Sequence, residues 1–362
     1  MYGCFYTPFS LLFLSCLGYS WNIRVVFVGY SWDIRMYRVC IGYVSGMYRE
    51  CIETNKKNGG SICIFESFVL SLQKIMITFA QNMDLRTALY RIGSYLKHRL
   101  TARHTGGHGV HSPYLFEWVR MVMSDENSYY AWEAIEKRRE RMLADERIVE
   151  FVDYGSGGEG NRFAEDRGAV EDRRVKDIAK GSLAKKKYAQ LLARLVNWLG
   201  NGRLDMGDRR LVIVELGTSL GITTAYMAMM DSRNKVVTYE GCPAVADIAK
   251  ENWKALGIKN IDCRVGEIKM EDLDRDIQTW DLAFVDANHT YASTRAYFNV
   301  LAEKAHAKSV MIVDDIHYNT EMEMAWRAIC ADERVMSTMD LYQMGLVFFD
   351  KDYWKRDYRI RV

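Results

Sequence analysis

The chain has 362 residues, with 49 Lys and Arg against 47 Asp and Glu and a formal net charge of +2. That length gives room for one large or two ordinary domains, and the near-zero balance gives no charge excess for holding a polyanion. Apolar residues make up 49% and charged residues 27%, which is enough to bury a core. No clean apolar run of about 18 residues offers a membrane span. The expectation is a cytoplasmic chain with no nucleic-acid and no membrane partner.

Residues 1–82 read differently from the rest. Cys4, Cys16, Cys40, Cys51 and Cys63 lie here, and none of the 8 cysteines of the chain forms a C-x-x-C pair. Reduced free thiols are the plain reading. Tyr19-Ser20-Trp21-Asn22-Ile23-Arg24 recurs as Tyr30-Ser31-Trp32-Asp33-Ile34-Arg35, too short and too brief for a solenoid. With no helical or strand period, the segment is expected to lie outside the folded protein as translated upstream sequence, with Met83 as the natural start. The alternative is a signal segment at Phe9 to Leu17, but no positive n-region precedes it and no good cleavage site follows.

Residues 83–204 read as a mainly helical region that caps the remainder. Leu85, Leu89, Ile92 and Leu96 recur at helical spacing up to about Leu100. A glycine-rich loop follows, carrying His104, His108 and His111; these are loop histidines with capping roles, or the loop folds over a site as a lid. Ser112 caps the next helix and Pro113 starts it, and that helix runs to Met123. Tyr129 to Ile148 and Lys186 to Leu199 are two more helices, with Trp132, Ile135, Leu191, Leu192, Leu195 and Trp198 inward. Asp153-Tyr154-Gly155-Ser156-Gly157-Gly158 imitates a ligand turn but reads as a loop, because no apolar period follows it.

From about residue 205 strand and helix alternate, which means a parallel sheet. Strands are predicted at 211–216, 235–240, 261–265, 281–286, 308–314, 334–339 and 344–349, the last two joined as a hairpin by a turn near 341–343. The first strand ends in Glu215-Leu216-Gly217-Thr218-Ser219-Leu220-Gly221 and enters a helix. This is a G-x-x-x-G turn, neither the G-x-G-x-x-G of dinucleotide folds nor a P-loop. Gly217 lets the backbone turn sharply and Gly221 lets a ligand approach the helix start. Glu215 sits where an ammonium would be held. Glu240 ends the second strand about 20 residues past the turn, where an acid takes ribose hydroxyls. Pro243 then opens a helix.

In these residues the chain resembles the class I S-adenosylmethionine-dependent methyltransferases over about residues 205–350. The resemblance implies an α/β, Rossmann-like methyltransferase fold: a mostly parallel seven-stranded sheet with an antiparallel edge hairpin, plus the helical N-terminal region. It implies S-adenosylmethionine as cofactor, with Glu215, Gly217, Thr218, Ser219 and Gly221 at the methionine end and Glu240 at the ribose. Gly266-Glu267 falls beside the adenine ring, with Glu267 or the Ile268 amide at the exocyclic amine; the bland alternative is a surface turn. H-G-V-H-S-P resembles the helical lead-in of a bacterial methyltransferase group.

The exits of the fourth and fifth strands carry Asp286, His289, Asp314 and Asp315, which converge at one mouth. This looks like the catechol-type O-methyltransferase branch, where these strand ends hold a divalent cation. The chain departs from that branch with Asp315 in place of an asparagine and His289 where a lysine is frequent. Asp286, Asp314 and Asp315 would suit Mg²⁺ or another hard cation. Otherwise the two aspartates cap the following helix and His289 fixes the loop. His289 is the candidate general base beside Asp286; without metal, His289 or His317 alone would take the proton. The predicted activity is O-methylation of a small-molecule hydroxyl, and a homo-oligomer is compatible. A nicotinamide-dependent oxidoreductase and a non-enzymatic nucleoside-binding module are the rival readings.

Overall fold

The computed structural model describes residues 10–17, 20–27, 85–125, 127, 129–154, 169–201, 210–352 and 354–362. The chain divides into two compact units, Met1–Thr78 and Phe79–Val362. In the first, β1 (Ser10–Leu17) and β2 (Ser20–Phe27) form an antiparallel hairpin. The rest of residues 1–82 lies outside the described residues, and so does the Gly155–Gly158 stretch.

In the second unit, α1 (Leu85–Thr101) forms over the predicted span. Ser112 caps α2 (Pro113–Trp118), its side chain accepting from the Leu115 N–H, and the helix continues as a π-turn over Val119–Met123. The helix α3 covers Tyr130–Ala144 and stops earlier than expected. Ile148 instead begins β3 (Ile148–Asp153), which pairs antiparallel with β4 (Ala169–Arg174). Two helices follow, α4 (Val175–Ser182), which the sequence reading missed, and α5 (Lys186–Asn201). Leu191, Leu192, Leu195 and Trp198 of α5 are buried as expected.

The remainder alternates: β5 (Val212–Leu216), α6 (Ile222–Ala228), β6 (Lys235–Glu240), α7 (Pro243–Ala255), β7 (Ile261–Val265), α8 (Met270–Asp276), β8 (Trp280–Val285), α9 (Tyr291–Glu303), β9 (Ala305–Asp314), α10 (Thr320–Ala331), β10 (Ser337–Asp340), β11 (Met344–Phe348) and β12 (Arg356–Arg359). The sheet order is β12-β10-β11-β9-β8-β5-β6-β7. Strands β5 to β9 are mutually parallel, and β11 runs antiparallel to both β9 and β10. The sheet is the expected mostly parallel one with an antiparallel edge hairpin, but it has eight strands rather than seven. The extra strand, β12, pairs parallel with β10.

The central strands are buried on both faces, as parallel strands between helix layers must be. Ile213, Leu282, Phe284 and Ile312 pack with Trp118, Leu192 and Leu195 on one side. Their alternating neighbours Val214, Ala283, Val285, Met311 and Val313 pack with Tyr297, Phe298 and Trp326 on the other. Because β5, β6, β8 and β9 run parallel, their carboxyl ends lie at one edge, where the candidate site lies. Among the described residues no helix is long and apolar enough to cross a membrane.

Candidate active site

The turn after β5 is shaped by what surrounds it. Gly217 has φ +95°, and a Cβ there would fall 2.0 Å from the Asp286 carbonyl oxygen. The two strand exits therefore meet at this glycine. Gly221 has φ +71°, and a Cβ would strike the Trp253 ring at 2.6 Å. Packing by α7 thus explains Gly221: Trp253 Nε1 donates to the Gly221 carbonyl at 2.8 Å and Asn252 Nδ2 to the Leu220 carbonyl at 2.8 Å.

Glu215 lies beneath the turn rather than at an open ligand face, with none of its surface exposed. Its Oε2 accepts from Thr224 and Thr238, each at 2.6 Å, and Thr218 Oγ1 lies 2.5 Å from Thr238 Oγ1. Burial pushes the Glu215 carboxyl up to about 8, against the lowering effect of the two threonine bonds. Through these bonds Glu215 ties the turn to β6 and α6.

Glu240 leaves the end of β6 with its carboxylate fixed by backbone donors. Ser219 N–H donates to Oε2 at 2.7 Å and Cys242 N–H to Oε1 at 2.9 Å. Burial raises Glu240 to about 7, although these amide bonds oppose the shift. Ser219 itself has φ +49°, and its hydroxyl lies 2.6 Å from that of Ser182 at the end of α4. The Gly266 N–H donates to the Glu240 carbonyl at 2.9 Å. With φ +124° and no atom within 4 Å of a would-be Cβ, Gly266 borders open space, and Glu267 is exposed. Tyr154, at the end of β3, covers the other side: a Cβ on Gly241 would lie 2.7 Å from its ring. Ser182 and Tyr154 escaped the sequence reading because α4 and the β3–β4 hairpin did.

The exits of β8 and β9 bring Asp286, His289, Asp314 and Asp315 together. His289 Nε2 is 3.3 Å from Asp286 Oδ1 and 3.7 Å from Asp315 Oδ2. The His289 ring lies against Tyr318, with centroids 5.5 Å apart. Burial raises the Asp286 carboxyl, and its bond to His289 opposes the rise. Asp314 is pushed well above the carboxylate range by burial and then by the charges of Asp286 and Asp315. Its Oδ1 is buried without a hydrogen-bond partner among the described residues. Tyr188 on α5 is raised to about 12 by burial and by Asp314.

Asp315, at φ +53°, accepts the Gln343 amide on Oδ1 and turns Oδ2 to His289. Among the described residues no group of three or more His, Cys, Asp or Glu is placed to hold a metal.

Two further histidine groups have partners of their own. His317 Nε2 faces Asp340 at 3.0 Å. The His104 loop lies along β12, with Arg359 N–H donating to His104 Nδ1 at 3.1 Å and Arg361 N–H to Thr105 Oγ1 at 3.2 Å. It is an edge fastening rather than a lid.

The sheet order, the glycine turn and the acid at the end of β6 define a class I methyltransferase domain, the S-adenosylmethionine-dependent class. Residues 214–316 match the family described as Methyltransferase domain, and this part of the chain is such a domain. No curated protein matches the chain by sequence. Among solved structures, the chain is similar to an O-methyltransferase from Bacillus cereus in complex with SAH, at 18% identity and TM-score 0.41, covering 65% of this chain and 97% of that one. A SAH-bound methyltransferase from Podospora anserina is similar at 12% identity and TM-score 0.40, covering 63% and 100%. The O-methyltransferase TomG from Streptomyces achromogenes, involved in tomaymycin synthesis and solved with SAM, is similar at 16% identity and TM-score 0.38, covering 47% and 82%.

Proposed function

We propose that the chain transfers the methyl group of S-adenosylmethionine to a hydroxyl of a small molecule, with His289 as general base. The observation that carries this is the His289–Asp286 pair at 3.3 Å, on the loop whose Asp286 carbonyl abuts Gly217. A base is thereby set beside the turn that would seat the methionine end of the cofactor. In this reading Glu240 accepts the ribose hydroxyls, Gly217, Thr218, Ser219 and Gly221 line the turn, and the open space at Gly266-Glu267 takes the adenine. Asp286 orients His289 and stabilises its cationic form.

The reaction is an in-line displacement. An oxygen–methyl bond forms as the sulfonium–methyl bond breaks, and the bonding pair returns to sulfur, leaving S-adenosylhomocysteine. The hydroxyl proton passes to the His289 imidazole. Holding the acceptor oxygen in line supplies much of the rate, and the base contributes about 10²–10⁴-fold. The test is methyl transfer from labelled S-adenosylmethionine to a panel of phenols and alcohols. His289→Ala is expected to lower kcat by about 10²–10⁴-fold while S-adenosylhomocysteine affinity stays at the wild-type value. Calorimetric binding of NAD but not S-adenosylhomocysteine would overturn the reading in favour of an oxidoreductase.

A further inference from the structure

A second polar cavity, of about 380 Å³, lies between α1, α10 and the β10–β12 edge. None of the residues placed at the candidate active site lines it. Its two carboxylates are already engaged. Asp340 receives His317 Nε2 at 3.0 Å and His98 Nε2 at 3.2 Å. Burial alone would raise the Asp340 carboxyl, but those two bonds outweigh it and hold the acid well below its usual range. Glu323 accepts the Tyr90 hydroxyl at 2.5 Å and pairs with Arg327.

Donors are left over. Lys97 has no ion-pair partner among the described residues. Arg359 gives Nη1 to Thr101 Oγ1 at 3.0 Å and stands only loosely, at 3.7 Å, from Asp340. The volume is within the usual range for a small-molecule site, about 300–1,000 Å³.

We propose that this cavity binds the anionic group of a small molecule, a carboxylate or a phosphate, through Lys97, Arg359 and Arg327. The Asp340 pair of histidines forms its rigid floor. Tyr342 stacks on His317 with centroids 5.3 Å apart, and the adjacent Gln343 binds Asp315. The inference goes beyond the methyl-transfer reading and does not depend on it.

The test is calorimetric titration of the full chain at constant ionic strength with benzoate, its neutral isostere benzamide, and inorganic phosphate, each with and without S-adenosylhomocysteine. Benzoate or phosphate is expected to bind at least tenfold more tightly than benzamide, and the tighter of the two anions shows whether a carboxylate or a phosphate is preferred. Lys97→Ala and Arg359→Gln are each expected to weaken the anion about tenfold, with melting temperature and S-adenosylhomocysteine affinity unchanged. Equal binding of benzoate and benzamide, wild-type anion affinity in both variants, or competition between the anion and S-adenosylhomocysteine would each overturn the proposal. If S-adenosylhomocysteine fails to bind at all, the methyl-transfer reading falls and the anion site is still decided by the other arms.

Discussion

The Glu240 carboxyl, raised to about 7 by burial, must be ionised to accept two ribose hydroxyls well. Below pH 7 it carries a proton that binding would have to expel. S-adenosylhomocysteine affinity is therefore expected to rise by about tenfold from pH 6 to pH 8, and Glu240→Gln should bind more weakly with a flat profile. A wild-type profile as flat as the variant's would remove Glu240 from the ribose site. Glu215 acts on stability instead. Its folded value of about 8 stands above the roughly 4.3 of an unfolded glutamate, so between those values the folded state binds more protons. Stability must then fall as pH rises through that window. Glu215→Gln, which cannot ionise, should flatten the decline in melting temperature between pH 5 and pH 8; parallel curves would refute this. Gly217→Ala places a methyl 2.0 Å from the Asp286 carbonyl at φ +95°. A strained backbone there costs about 1–3 kcal/mol, and the shifted turn should abolish S-adenosylhomocysteine binding. A folded variant with wild-type affinity would show that the turn does not seat the cofactor.

The helix α1 braces the loops that carry the candidate base. The Arg91 guanidinium lies 3.9 Å from the Tyr318 ring centroid, and its Nε donates to the Tyr318 carbonyl at 3.0 Å. Tyr318 in turn packs on His289, and Asn319 Nδ2 donates to the His289 carbonyl at 3.2 Å. Arg91→Ala is expected to lose about 1–3 kcal/mol of stability and to speed hydrogen exchange in residues 286–291 and 315–319; unchanged exchange there would deny α1 this role. Nothing in the periodicity of α1 marks Arg91, because the partner is more than 220 residues away and reaches it only through the fold. Elements with strong local signals were legible: Ser112-Pro113 as a cap, the apolar runs of β5, β6, β8 and β9, and the inward face of α5. The missed elements carry weak signals. In Arg356-Asp357-Tyr358-Arg359 of β12, only Tyr358 is buried. Ile148 and Val170 of the β3–β4 hairpin are exposed, so no alternating apolar face announces a strand.

At the scale of the molecule, we propose that the 83–204 region and the domain from about 205 to the end fold without residues 1–82, whose sequence shows no periodic apolar face to dock. A chain starting at Met83 is expected to keep the melting temperature of the full chain, and a drop of several degrees would show that the leading segment packs on it.

Local chemistry in the chain was enough to determine the α/β class, the glycine turn, and the acids at the ends of β6, β8 and β9. Strand periodicity, turn residues and strand-end acids are short-range signals that one sequence displays. The tertiary structure decided what those residues do. Glu215 is enclosed by Thr224 and Thr238, whose hydroxyls tie it to α6 and β6. Asp315 is drawn to Gln343 and His289, and the Asp314 carboxyl is buried where the charges of Asp286 and Asp315 act on it. His317 is taken by Asp340, while His289 keeps its place beside Asp286. Each outcome depends on partners distant in sequence and on burial, which sets whether a carboxyl is charged, and neither is written in the spacing of the residues.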